Sequence, residues 1–219
     1  MSDRAPALCE VVQFDLFNVV PTGVPMQLAD TALDQIFRTA HTVNGFVARP
    51  VPEALLRQVY ELMKWGPTAS NGCPARIVFV TTAAGKQALE PALDRGNVDK
   101  TMAAPATAIV AYDLKLYEQF SKLAPQLDSS KWAAMGPEAI HTYCLRNGSL
   151  QGAYLMIAAR ALGLDCGPMS GFNNAAVDAA FFPDGQWKSN FLCNLGYGDP
   201  ASIRPRKARL DFNEACRMA

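Results

Sequence analysis

Histidine is scarce in this chain, with 2 in 219 residues, and that scarcity removes most zinc and non-haem iron chemistry from consideration. The six cysteines, Cys9, Cys73, Cys144, Cys166, Cys193 and Cys216, form no Cys-x-x-Cys pair. His141 and Cys144 stand i,i+3 without further ligands, so the expectation is no metal. No Gly-x-Gly-x-x-Gly follows a strand pattern and no Gly-x-x-x-x-Gly-Lys-Ser/Thr occurs, which leaves Rossmann and P-loop sites unsupported. There is no Gly-x-Ser-x-Gly elbow, and no carboxylate pairing suggestive of glycosidase chemistry. The longest apolar run, 152–159, falls far short of the roughly 20 residues of a membrane span. Twenty basic and twenty acidic residues cancel, so no global field draws the protein to nucleic acid or to an anionic membrane.

What is present is ordinary for a globular protein: half the residues are hydrophobic and 18% charged. Free thiols and an N-terminus lacking a secretory signal imply a reducing, cytoplasmic setting. Residues 1–26, with Pro6, Pro21, Gly23 and Pro25, read as a poorly ordered extension, and 27–219 as one domain.

Along the chain, Leu28, Leu33, Ile36, Phe37 and Ala40 have helical spacing, ended by Gly45. Pro52 opens a second helix whose stripe is Leu55, Leu56, Val59, Leu62 and Met63. Strands are expected at 76–81, 106–112 and 191–196, rich in β-branched residues or wholly apolar. A helix over 83–93 is interrupted by Pro91. Residues 121–137 read as a loop and a mobile lid. The longest helix, 138–162, has an apolar density implying burial on nearly all sides, in a core or a dimer interface. A short helix ends at Phe181-Phe182, and the tail from Asp199 looks extended, like an arm that crosses to a partner subunit.

The stretch Lys64-Trp65-Gly66-Pro67-Thr68-Ala69-Ser70-Asn71-Gly72-Cys73-Pro74 carries more donors than a helix-to-strand turn needs. It is one of four polar clusters, with 41–44 (His41-Thr42-Val43-Asn44), 97–100 (Asn97 to Lys100) and 206–209 (Arg206-Lys207-Ala208-Arg209). Any one of them taken alone reads more readily as solvated surface. Together their hydroxyls, amides and cations suit a phosphate joined to a polar heterocycle. From the residues alone the reading stops there.

The order of these clusters resembles the nitroreductase family of FMN flavoproteins, from about residue 28 to the end. The resemblance rests on 62–68 (Leu-Met-Lys-Trp-Gly-Pro-Thr), 107–111 (Thr-Ala-Ile-Val-Ala), 161–165 (Ala-Leu-Gly-Leu-Asp), 167–172 (Gly-Pro-Met-Ser-Gly-Phe) and 194–199 (Asn-Leu-Gly-Tyr-Gly-Asp). Within the family it looks most like the malonic semialdehyde reductase branch of pyrimidine catabolism.

The resemblance implies an α+β fold, a central mostly antiparallel sheet flanked by helices, in an entwined homodimer with exchanged C-terminal arms. FMN would lie at the interface. His41, Thr42 and Asn44 would contact it from one subunit, and Pro67, Thr68, Ser70 and Asn71 from the other. Asn97 and Lys100 would sit beside the flavin pyrimidine ring, Ser170 and Gly171 at the N5 edge, and Arg206, Lys207 and Arg209 near the phosphate. Two family features differ. Ala40, Thr42 and Asn44 replace an Arg-x-Ser-x-Arg/Lys element, leaving Arg38, His41 and Arg206 as candidates for the missing charges. Ser170 replaces a glutamate at the N5 turn.

Lys100 and Gly171 are then the expected catalytic groups. The ammonium would stabilise negative charge on the reduced N1/O2 edge, and the glycine N–H would orient N5. NAD(P)H would donate hydride, and an aldehyde, or a nitro compound or quinone, would accept it. A flavin-binding protein without turnover and a flavin-free transferase of phosphate ligands stand as rivals.

Overall fold

The structure, a computed structural model, describes residues 27–219; the expectation for 1–26 lies outside them. Four strands pair antiparallel in the order β1-β2-β4-β3. They are β1 (Ala75–Val80), β2 (Ala106–Asp113), β3 (Asp165–Met169) and β4 (Trp187–Gly196). Every residue of β2 is buried, Thr107 and Asp113 included, which is why its sequence shows no alternation of apolar and polar residues. Its two faces meet different cores. Ala106, Ala108 and Val110 pack with Leu56, Val59, Met63 and Leu155, and Ile109 and Ala111 pack with Val80, Leu89, Phe172, Val177 and Leu192. Where β2 faces β4, a bulge between Val110 and Ala111 shifts the register by one residue.

Helix α1 (Asp30–Leu33) widens into a π turn over Asp34–Arg38 and stops at Thr39, short of the expected Gly45. The chain from 40 to 46 is instead non-helical, with a bend at Asn44. Val43, 1% exposed, donates its N–H to Cys166 O at 3.0 Å, and Thr42 and Phe46 form bridges with Cys166 and Gly198. Burial of Val43 against β3 overrides the helical spacing. In α2 (Glu53–Met63) the buried stripe is Leu56, Val59 and Met63; Leu62 lies off it and is exposed beside Trp65.

Helix α3 (Ala83–Leu89) is capped by Thr82 Oγ1, which accepts from Gly85 N at 3.1 Å, and Pro91 falls in the 3-10 turn that follows. The polar stretch after it is helical, α4 (Arg95–Ala103). It lacks an apolar stripe because only Thr101 is buried.

The expected lid is two short helices, α5 (Phe120–Leu123) and α6 (Ser129–Ala133). They are pinned to α7 (Pro137–Ala161) by edge-on rings, Phe120 to Trp132 at 5.0 Å and Trp132 to Tyr143 at 4.7 Å. Helix α7 crosses the sheet at Gly152, where an added Cβ would lie 2.5 Å from Phe191 Cζ. It is not buried all round: Leu145, Leu150 and Tyr154 are exposed.

Strand β3 contains Gly167 and Pro168, residues that argue against a strand in sequence; it survives because it is the sheet edge, where a missing N–H costs no ladder bond. Helix α8 (Asn174–Phe181) is capped by Asn173, and α9 (Phe212–Ala215) by a reciprocal Asp211–Glu214 box. Residues 203–210 between β4 and α9 are exposed. Among the described residues no helix is long and apolar enough to cross a membrane, and no group of three metal-ligating side chains gathers.

Candidate functional site

Helix α4 projects Asn97 and Lys100 from one side, a turn apart. Asn97 Nδ2 donates to the Gly171 carbonyl at 2.6 Å, and the same carbonyl accepts the Asp94 N–H at 3.1 Å. The turn after β3 is thereby tied to the start of α4. Gly171 is required for this approach, since a Cβ there would lie 2.5 Å from Asn97 Nδ2 and 2.8 Å from Asp94 Oδ2. Its own N–H donates to nothing among the described residues. Ser170 beside it is exposed.

Lys100 Nζ reaches Asn44 Oδ1 at 3.5 Å, the outer limit of a hydrogen bond, so the 41–44 segment closes the second side of the same region. His41 is half-buried and Thr42 exposed along it. Burial, and then repulsion from Arg204, push the Lys100 ammonium below the usual lysine range. The tail adds Arg206, which donates to Arg38 O at 2.8 Å and Ala40 O at 2.7 Å. Lys207 and Arg209 are exposed, Arg209 turning to the carbonyls of Lys207 and Ala208 at 3.0 Å each.

Among the described residues, Lys100, Arg204, Arg206, Lys207 and Arg209 have no carboxylate within 4.0 Å. A half-buried cation facing another cation, with amides and a free backbone N–H beside it, is a donor set that suits an anionic, hydrogen-bonding ligand. Of the three candidates for the missing positive charges, Arg38 is otherwise engaged, with Asp30 at 2.7 Å and Asp34 at 2.6 Å. His41 and Arg206 remain, and Arg204 joins them. Sequence reasoning passed over Arg204, although it stands two residues before Arg206 in the same extended tail.

The 67–73 loop is built differently. Ser70 and Asn71 both take φ of +52° and Cys73 +40°, strained values for side-chain-bearing residues. The surrounding bonds hold them. Thr68 Oγ1 accepts the Cys73 N–H at 3.1 Å, Asn147 Oδ1 the Ala69 N–H at 2.8 Å, and Leu123 O the Asn71 side-chain amide at 2.7 Å. Tyr143 Oη donates to Ala69 O. Asn147 and Tyr143 come from α7, so the packed 120–143 region shapes this loop. Pro67 and Ser70 are exposed on it. Among the described residues no hydrogen bond links the loop to Asn44, Asn97, Lys100 or Gly171.

The model of the nitroreductase family matches residues 38–197, which takes in every site segment except the tail. A Stenotrophomonas maltophilia protein provisionally named NADH dehydrogenase/NAD(P)H nitroreductase is 59% identical over 188 residues, covering 86% of this chain and 96% of that one. One of the same description from Ralstonia nicotianae is 53% identical over 191 residues, with 87% and 98% covered. Among solved structures, a nitroreductase in complex with FMN from Exiguobacterium sibiricum superposes with a TM-score of 0.77 at 19% identity, over 89% of this chain and all of that one. At that identity the likeness is one of fold.

Proposed function

Because the chain belongs to the nitroreductase family, we propose that it is an FMN-dependent NAD(P)H oxidoreductase acting as a homodimer in the cytoplasm. The observation that carries this reading is the set of cations around Lys100 and Arg204 without a carboxylate partner, beside Asn44, Asn97 and the Gly171 N–H. An FMN phosphate needs the cations, and an isoalloxazine edge needs the amides and the N–H.

Bound FMN supplies two-electron, hydride-carrying chemistry. With FMN bound, Lys100 would hold a positive charge toward the edge that gains negative charge on reduction, and its partial desolvation would lower the reorganisation cost. Asn97 fixes the Gly171 carbonyl and with it the peptide turn whose N–H would orient the reacting edge. Arg206 ties the basic tail to the 38–40 backbone, where its charges would serve the phosphate. Exposed Leu62 on α2 and Leu150 and Tyr154 on α7 support a second copy covering this face, bringing its 67–73 loop, with Pro67, Thr68, Ser70 and Asn71, to the site. The five described cysteines are free thiols, which accords with a reducing compartment.

The physiological reaction we assign is reduction of malonic semialdehyde to 3-hydroxypropionate, supported by the five motif stretches that resemble that branch. A second reading, reduction of nitro compounds or quinones, is favoured by the names of the relatives that are 53–59% identical. One experiment separates them. The visible spectrum of purified protein is recorded without oxygen, after NADPH and then after malonic semialdehyde. Bleaching and recovery support the aldehyde reaction. Bleaching that only a nitro compound or quinone reverses supports the second reading. A spectrum without flavin after FMN is added overturns both.

A further inference from the structure

Helix α4 ends at Ala103 against Ala104-Pro105, and this end cannot be closed in the usual way. Proline has no N–H to return to the last turn, and Ala104 is extended and gives no capping hydrogen bond. The carbonyls of Lys100 and Thr101, among the last four of the helix, would be left without partners. Two buried side chains from other elements serve them. Lys86 Nζ of α3 donates to Thr101 O at 2.7 Å, and Asn194 Nδ2 of β4 donates to Lys100 O at 3.3 Å.

The two are part of one closed ring. Lys86 Nζ also donates to Thr107 Oγ1 of β2 at 2.6 Å, Thr107 Oγ1 to Asn194 Oδ1 at 2.7 Å, and Asn194 Nδ2 to Thr101 Oγ1 at 3.2 Å. Thr101, Thr107 and Asn194 are fully buried and Lys86 is 6% exposed. No carboxylate pairs with Lys86 among the described residues. A buried ammonium with only neutral acceptors costs stability that an apolar side chain would not. Its placement against carbonyls at the negative end of α4 meets a local need. That end carries Lys100.

We propose that Lys86 is a positioning residue: through the Lys86–Thr107–Asn194–Thr101 ring it holds the last turn of α4 and so sets the placement of Lys100. The role of Lys100 rests on the function proposed above; the hold of the ring on α4 does not.

The test compares Lys86→Met, Thr107→Val and Thr107→Ser with the unaltered protein. Hydrogen exchange of the amides of 98–103 is measured without FMN. The midpoint potential of bound FMN and its rate of reduction by NAD(P)H are measured in the holoprotein. Lys86→Met and Thr107→Val should exchange faster at 98–103, lower the potential, and slow reduction about tenfold, since small misplacements of a catalytic group carry losses of this order or more. Thr107→Ser keeps the hydroxyl and should match the unaltered protein. A Thr107→Val variant that melts lower but keeps the exchange, potential and rate of the Thr107→Ser variant overturns the proposal, even where Lys86→Met does not fold. Failure of the unaltered protein to bind FMN, or to be bleached, would instead remove the function proposed above, while exchange at 98–103 still decides whether the ring holds the helix.

Discussion

The polar groups of the 67–73 loop and those on the open side of α4 differ in what they are bonded to. In the loop, the Thr68 hydroxyl, the Ala69 N–H and the Asn71 side-chain amide are each engaged with groups on the loop, α7 or α5. On the α4 side, Lys100 has three donors and one contact at 3.5 Å, Gly171 N–H has no acceptor among the described residues, and Arg204 adds repulsion. The first region spends its hydrogen bonds on its own shape, including three left-handed residues. The second keeps donors unspent. A surface whose cations lack partners stores electrostatic cost that a bound anion relieves, so the α4 side is where ligand energy is to be gained.

Removing the half-buried cation of the α4 side should have the largest effect. Lys100→Ala is expected to slow flavin reduction by about a hundredfold, the scale seen when one preorganised charge-stabilising donor is lost, and to weaken FMN binding much less. Anaerobic stopped-flow reduction and equilibrium FMN titration read the two quantities separately. Equal losses in both would make Lys100 an anchor and erase the distinction drawn between the regions.

A smaller effect is expected where the two regions differ in packing. Gly171→Ala places a methyl 2.5 Å from Asn97 Nδ2 and 2.8 Å from Asp94 Oδ2. Gly171 does not have a positive φ, so the strain is steric alone. Overpacking of this kind costs about 1–3 kcal/mol and here should also part Asn97 from the carbonyl it holds. Denaturant titration and FMN affinity should both fall; unchanged affinity would show that the turn is not part of the site.

The legible parts of the fold were those whose pattern had one cause. β2 reads as a strand because both faces are buried, and α7 as a helix because its length and central apolar density agree. β3 was missed because Gly167 and Pro168 look like turn residues, and only the topology, which makes this strand an edge, admits them. Helix α4 was missed because its fixed side is polar: Asn97 faces Gly171, Lys100 faces Asn44, and the buried contacts are hydrogen bonds. The segment 121–137 read as a loop because the rings that anchor it, Phe120 and Trp132, are isolated in sequence and meet each other and Tyr143 only in the fold. In the site, four residues from three distant clusters come together as two contacts, Asn44 with Lys100 and Asn97 with Gly171. Arg204 and Lys86 escaped notice because charge without a motif carries no address until the fold supplies one.

Burial also gives Lys86 a titration signature. Burial lowers the Lys86 ammonium to about 8, while the unfolded chain holds its proton to near 10.4. Between these values the unfolded state binds the extra proton, so this residue's contribution makes stability rise with pH through that window. Below about pH 8 the burial penalty is fully present. Chemical denaturation from pH 7.5 to 10.5 should show the rise, and Lys86→Met should flatten it. The same slope in both proteins would assign it elsewhere.

The smallest effect is expected at Arg38, which the charge pattern offered as a substitute for a missing phosphate ligand. Its guanidinium is about half exposed and meets Asp30 and Asp34, themselves exposed, so it is a screened surface network of positive and negative charge with little field left over. Arg38→Ala should barely change stability and leave FMN affinity unchanged, because Arg206 reaches the carbonyls of Arg38 and Ala40 and backbone groups survive the substitution. Arg206→Ala removes that tie and should weaken FMN binding. If the two variants weakened it equally, Asp30 and Asp34 would have to release Arg38 when the anion binds, and the unpaired cations on the α4 side would not be the whole of the phosphate site.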